Sequence, residues 1–400
     1  MKNPKVFLSL IFNILMLSLV GAAFAAPPIS FGVSGPKTKV GNFGNGGDAF
    51  SSGHHSISIF GENIFTTWGR SGSNGHDVVV ARNGANGADF FIGSDIVGSE
   101  PGAQSALAVD SDGYIHVAWH TGNQLKYARS NSPGGQTYTT PILLSGTEGA
   151  GWGPSITTYK DAGNNMNIYV AYTSDHISGS SNEIYIKTSS DGGSTWGNPI
   201  WVNDWTLAYW GVPLELDEYS NEWGDKFPSI AVDLNGDLHM TFSWAGAPMY
   251  TSSTNGGVDW DEPIIVIGSV GYGANSYPSI ATVNGTDIYV SWETGGKIYC
   301  ASSHDSGGPS SWGEPVPVDP GTGGYHYTSA AVNSNGDVYV AARIDQQIKL
   351  YKSKDGGGSW STPYIAGDGT DPHLAIDNNG KAIVMWADTN NKTVFFTREQ

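Results

Sequence analysis

The chain has 400 residues, a formal net charge of −18, and 12% aromatic against 14% charged residues, a balance that excludes intrinsic disorder and supplies apolar mass for a large core. Its acidity argues against nucleic acid or an anionic membrane as partner, because like charges repel within the screening length. The single cysteine, Cys300, rules out an intrachain disulfide and any zinc site built from clustered cysteines.

The first 25 residues read as a signal peptide rather than part of the fold. Lys2 and Lys5 precede an apolar run over 6–20, and Ala23-Phe24-Ala25 offers small residues where a signal peptidase cuts. No other stretch approaches the length of a membrane span, so no membrane insertion is expected after cleavage. The mature protein, over 26–400, is expected to be secreted or periplasmic.

A repeat organises the remainder. Pro154-Ser155-Ile156 returns as Pro228-Ser229-Ile230 and Pro278-Ser279-Ile280, with looser copies at Ser56, Ser105, Ser329 and His373. Successive copies stand 49, 50, 74, 50, 50 and 44 residues apart. Within each unit an apolar strand, an Asp/Asn-Gly turn, two further strands, a Gly-rich turn ending in an aromatic and a fourth strand follow in order. Period-2 alternation and Asn-Gly turns predict antiparallel hairpins. A four-stranded meander of about fifty residues cannot bury both faces alone, so the units must stack. The pattern predicts one all-β domain, a seven-bladed β-propeller. The seventh unit ends on its third strand, and Pro28-Ile29-Ser30-Phe31 matches the fourth-strand pattern, so the N-terminal strand is expected to close the last blade.

The turns before the fourth strands share the spacing Ser-x-Asp-x-Gly-x-Thr/Ser-Trp. Ser189 to Trp196, with Asp191, and Ser353 to Trp360, with Asp355, are clean copies. Asn255 substitutes in the copy ending at Trp260, and the copy with Asp305 and Trp312 carries one inserted residue. This motif resembles the Asp box, or bacterial neuraminidase repeat, of sialidases and other secreted carbohydrate-active or carbohydrate-binding propellers. These aspartates are expected to serve folding, since a carboxylate can take backbone N–H bonds across the turn while glycine permits a positive φ. No motif calls for a cofactor, and the Asp-rich turns lack the Glu that an EF-hand needs, so no metal is expected.

In a meander the first and third turns of a blade share one face. Loops on the opposite face are therefore the candidate functional ones. The longest, over 203–227, holds Trp205, Tyr209, Trp210, Glu215, Asp217 and Trp223, aromatics that can stack on sugar rings and carboxylates that accept sugar hydroxyls. Trp152, Tyr277, His326 and Tyr327 fall on other inter-blade connections of that face, and His120 at a strand end. Each also has a packing reading.

The sialidase resemblance implies three arginines on a substrate carboxylate and a Tyr–Glu nucleophile pair. Of five arginines, Arg82 and Arg129 fall at the Asp-box ends of third strands and Arg398 near the terminus. Only Arg70 and Arg343 follow second strands on the candidate face. The triad is thus missing, as is an Arg-Ile-Pro element. A glycosidase would need two carboxylates roughly 5–10 Å apart, for which Glu148, Glu215, Asp217, Glu222 and Glu293 are candidates. The segment over 115–120, with His116 and His120, and the following Leu125-Lys126-Tyr127 loosely resemble seven-bladed polysaccharide lyases. A carbohydrate-binding module or lectin is the first reading, a glycosidase or lyase the alternative, and a protein-interaction platform the third. The expected partner is a glycan or polysaccharide.

Overall fold

A computed structural model describes residues 38–42, 56–72, 75–83, 90–92, 97–100, 104–121, 124–135, 137–146, 151–175, 182–202, 226–244, 246–266, 277–308, 310–319, 321, 325–388 and 393–399. Seven antiparallel sheets form a seven-bladed β-propeller with four-stranded blades. The first strands are Ile57–Phe60, Gln104–Val109, Gly151–Lys160, Lys226–Val232, Ser279–Thr282, Tyr325–Val332 and Thr370–Ile376. They touch one another in turn around the ring and so line its axis. In blade 1, Val97–Glu100 also pairs with the third strand. The N-terminal strand closes blade 7, but through Thr38–Asn42, which pairs with Thr393–Arg398. The four residues from Pro28 to Phe31, expected in that place, lie outside the described residues, as does the segment over 1–25.

Core formation explains why the units stack. Each of seven buried clusters joins facing sides of two neighbouring blades, as where Trp68 and Val79 of blade 1 meet Ile383 and Met385 of blade 7. Second strands are sandwiched on both faces, so Ile288–Thr294 and Ala382–Asp388 are buried throughout instead of alternating. The motif serine has its own task. Ser155, Ser229, Ser279 and Ser329 each accept, through Oγ, the N–H of the residue after the equivalent position in the next blade, at 3.0–3.3 Å. The repeat visible in the sequence is thus a chain of inter-blade hydrogen bonds.

Two buried triads recur with one spacing. His116 bonds Asp110 through Nε2 at 2.9 Å and the Tyr127 hydroxyl through Nδ1 at 2.7 Å. A carboxylate only accepts, so Nε2 carries the proton and Nδ1 accepts from the tyrosine. In blade 4, His239 meets the Tyr250 hydroxyl at 2.8 Å and lies 3.8 Å from Asp233. Burial lowers both imidazole pKa values, and the neighbouring aspartates offset this only in part. The folded chain therefore binds fewer protons here than the unfolded chain. The resulting stability is complete above the unfolded value of about 6.5 and is lost as pH falls through the window below it. Urea midpoints measured from neutral to acid pH should fall, and the double variant His116→Gln/His239→Gln should flatten that fall.

Candidate functional site

The aspartate turns occupy one face and hold themselves. Asp191 accepts the Ser194 and Thr195 N–H groups on Oδ1 at 2.9 and 2.8 Å, and the Thr195 hydroxyl on Oδ2 at 2.6 Å. Burial alone would raise this carboxyl, but these bonds outweigh it and the pKa is lowered. Asp355 repeats the arrangement with Ser359, whereas Asn255 accepts the Asp259 N–H on Oδ1 at 2.9 Å and donates through Nδ2 to the Asp259 carboxylate at 2.8 Å. Asp305 does not. No described bond reaches its exposed side chain, and Ser311 closes that turn onto Ser303 at 2.6 Å, because the inserted residue displaces the acceptor. Trp196, Trp260 and Trp312 donate to turn carbonyls at 3.1–3.2 Å. The Trp360 indole N–H is instead buried with no partner among the described residues.

The same face uses up three arginines. Arg82 and Arg129 donate to the Gly134 and Gly192 carbonyls of the following blades, each at 2.8 Å, and Arg398 pairs with Asp377. His304 lies there too, 2.6 Å from Asp287 and 3.3 Å from the Ser302 hydroxyl. It is 58% exposed, so water competes for every bond in this Ser–His–Asp chain, which pins a hairpin rather than activating the serine.

The opposite end of the axis is built differently. Two positions ahead of the motif serine, or of His373 in blade 7, five blades place a residue with positive φ among the described residues: Gly153 (54°), Phe227 (59°), Tyr277 (35°), Tyr327 (58°) and Asp371 (50°). Four of the five precede proline, a position that favours extended backbone. In four blades the first-strand register shifts at this point, the mark of a β-bulge. Each non-glycine member costs about 1–3 kcal/mol, and strain of this kind collects where side chains must be aimed. Thr328 ties down the positive-φ residue of blade 5 by donating to the Tyr277 carbonyl at 3.1 Å while accepting from the Ser291 hydroxyl at 3.1 Å.

The aimed side chains meet. Phe227 and Tyr277, and then Tyr277 and Tyr327, have ring centroids 4.4 Å apart, forming an arc across blades 4 to 6. The Tyr277 and Tyr327 hydroxyls hydrogen-bond each other. Burial raises both phenols. Asp371 and Glu293 lie close enough to act on Tyr277 electrostatically, and Arg343 on Tyr327. Glu293 is 7% exposed, and burial raises its pKa against a single backbone bond from the Gly296 N–H at 3.1 Å. The half-buried Arg343 has its Nε enclosed with no hydrogen-bond partner among the described residues.

Of the residues singled out from sequence, Tyr277, Tyr327, Glu293 and Arg343 come together here. Arg343 lies within Val338–Ile344 and Arg70 within Asn63–Gly72, rather than after those strands. Trp152 and His326 begin the first strands of blades 3 and 6, and His326 pairs with Arg343 in register. Half-buried His120 sits in blade 2 opposite Gln104, whose side chain accepts the Gly153 N–H at 2.6 Å. Trp205, Tyr209, Trp210, Glu215, Asp217, Trp223, Glu148 and Glu222 lie outside the described residues. Phe227 and Asp371 were missed, although a recurring X-Pro pair two residues before the repeat serine marks them.

These features define a seven-bladed all-β propeller whose described residues gather strained backbone, tyrosines and carboxylates at one end of the axis, its mouth. No protein-family model and no curated protein matches the sequence. Solved structures match its fold over most of its length. A PL25 polysaccharide lyase, an ulvan lyase, shares 11% identity at a TM-score of 0.59, covering 90% of this chain and 95% of that one. The Penicillium chrysogenum α-L-arabinanase, solved with arabinobiose, shares 12% at 0.53, covering 92% and 98%. The Fusarium graminearum α-L-arabinofuranosidase arb93a shares 13% at 0.53, covering 74% and 91%.

Proposed function

We propose that the chain is a secreted carbohydrate-active enzyme of the Asp-box type that binds a glycan at the axial mouth and cleaves it there. The observation that carries this reading is Glu293, a carboxyl kept toward its protonated form by burial beside a hydrogen-bonded tyrosine pair. Glycosidic cleavage needs a proton donor for the leaving oxygen and a second group acting on the sugar. Glu293 takes the first role, Asp371 is the second carboxylate, and Tyr277, hydrogen-bonded to Tyr327, bonds the reacting sugar. The ulvan lyase, arabinanase and arabinofuranosidase with this fold act on saccharides, which supports the substrate class. With three arginines committed to structural bonds, a sialidase of the usual kind is not proposed.

What favours an enzyme over a lectin is asymmetry. A lectin propeller repeats its pockets between blades, whereas buried Glu293, Asp371 and the Tyr277–Tyr327 pair come from blades 5 to 7 to one end of the axis. The large exposed apolar side chains among the described residues, such as Phe60, Leu143, Leu234 and Ile365, are spread over blades 1, 2, 4 and 6, which disfavours an interaction platform. The test exposes the purified chain to a polysaccharide panel and reads released fragments by mass spectrometry. Fragments are expected, with saturated ends for hydrolysis and unsaturated ends for elimination. Retention of the protein without fragments would restore the lectin reading, and neither retention nor fragments would end both.

A further inference from the structure

The ring of positive-φ residues can be read one blade at a time. In order from blade 3 to blade 7 it carries no side chain at Gly153, a purely apolar ring at half-buried Phe227, two amphipathic rings at half-buried Tyr277 and Tyr327, and the carboxylate of buried Asp371. A flat ligand slipped between two aromatic faces needs a van der Waals contact of about 3.5–4 Å on each side. Centroid spacings of 4.4 Å leave no such slot. The three aromatics therefore form a continuous wall, apolar at its blade 4 end and polar toward blade 7.

Resting on the reading of the mouth as a glycan site, we propose that this ring sets specificity. Its ligand is a saccharide unit with one C–H-rich face and neighbouring hydroxyls on the opposite edge. The C–H face lies on Phe227 and Tyr277, where pyranose C–H groups meet aromatic faces. The hydroxyl edge turns to Asp371, which can only accept hydrogen bonds when ionised. The bulge is what makes this possible. In a regular strand a residue two ahead of the motif serine would share the serine's side of the sheet and pack between blades, whereas positive φ turns it toward the mouth.

Backbone strain supplies a test that separates recognition from packing. Glycine adopts φ near 50–60° without strain, and Gly153 already does so in blade 3. Phe227→Gly and Asp371→Gly should therefore keep the bulge while deleting the side chain, with thermal midpoints equal to or above the parent's. Binding of the parent, both variants and an outer-strand control, Ile365→Ala, is measured calorimetrically against neutral mono- and oligosaccharides that differ by single epimerisations. Phe227→Gly should weaken sugars with a C–H-rich face about tenfold relative to the others. Asp371→Gly should reorder epimers that differ at one hydroxyl, and the control should change neither. An unchanged ranking in both glycine variants, with the parent still binding, overturns the inference and leaves the glycan site standing. Lowered thermal midpoints with unchanged ranking assign these residues to packing and overturn it as well. A parent that binds no saccharide ends both readings.

Discussion

Replacing Glu293 with Gln is expected to lower kcat on a cleaved glycan by about 10²–10⁴-fold, the usual range for loss of a general acid, while leaving KM near the parent value. Gln keeps the shape of the side chain and can still accept the Gly296 N–H, so folding is preserved. The pH dependence gives a second readout. Burial raises the Glu293 pKa, so the proton-donating form is lost as pH rises through that raised value. The alkaline limb of the parent's pH profile should therefore be missing from the residual activity of the variant. Stability moves the other way. A raised carboxyl pKa means that the folded chain holds a proton the unfolded chain gives up. Its contribution is complete below the unfolded value and is lost as pH rises through the folded one. The Gln variant escapes that loss, so its denaturation midpoint should exceed the parent's by a margin that grows with pH. Equal pH profiles in parent and variant would remove Glu293 from the chemistry.

Gly193→Ala is expected to destabilise the fold by about 3 kcal/mol or more, the cost of overpacking combined with a forced positive φ. A Cβ at Gly193, where φ is 85°, would sit 1.9 Å from the Tyr127 hydroxyl oxygen and 2.6 Å from the ring carbon bearing it. That tyrosine belongs to the preceding blade and is held by His116 at 2.7 Å, so it cannot swing aside without breaking a buried triad. The collision is between a turn and its neighbour, not within the turn. Tyr127→Phe removes the nearest atom but strips His116 of its donor, and should cost about 1–2 kcal/mol alone. In the double variant the two losses should sum to less than the separate values, because the second change relieves part of the first. Strict additivity in urea denaturation would show that the close approach is not the cause. Blade 5 offers a repeat of the experiment, since a Cβ at Gly307 would lie 2.2 Å from the Tyr250 hydroxyl.

The architecture was legible in the chain alone, because a propeller writes its packing rule into it seven times. Apolar strands, Asn-Gly turns and the serine that bonds the next blade are local features recurring at near-constant spacing, and antiparallel hairpins are set by residues close in sequence. The role of Asp191 and Asp355 was legible for the same reason, since their partners lie three to four residues away. The closing strand was placed about ten residues too early, because Thr38–Asn42 carries no apolar pattern that distinguishes it from the segment before it. Four residues of the axial mouth were named from the sequence, but their meeting there was not legible in it. Tyr277, Tyr327, Glu293, Arg343 and Asp371 come from blades 5 to 7, and nothing in their spacing says that three first strands converge on one end of an axis. What turns Tyr277, Tyr327 and Asp371 to that end is positive φ ahead of the repeat position in three successive blades, a backbone state that no local spacing announces. Fold lay in local, repeated chemistry, and the site lay in the closure of the ring.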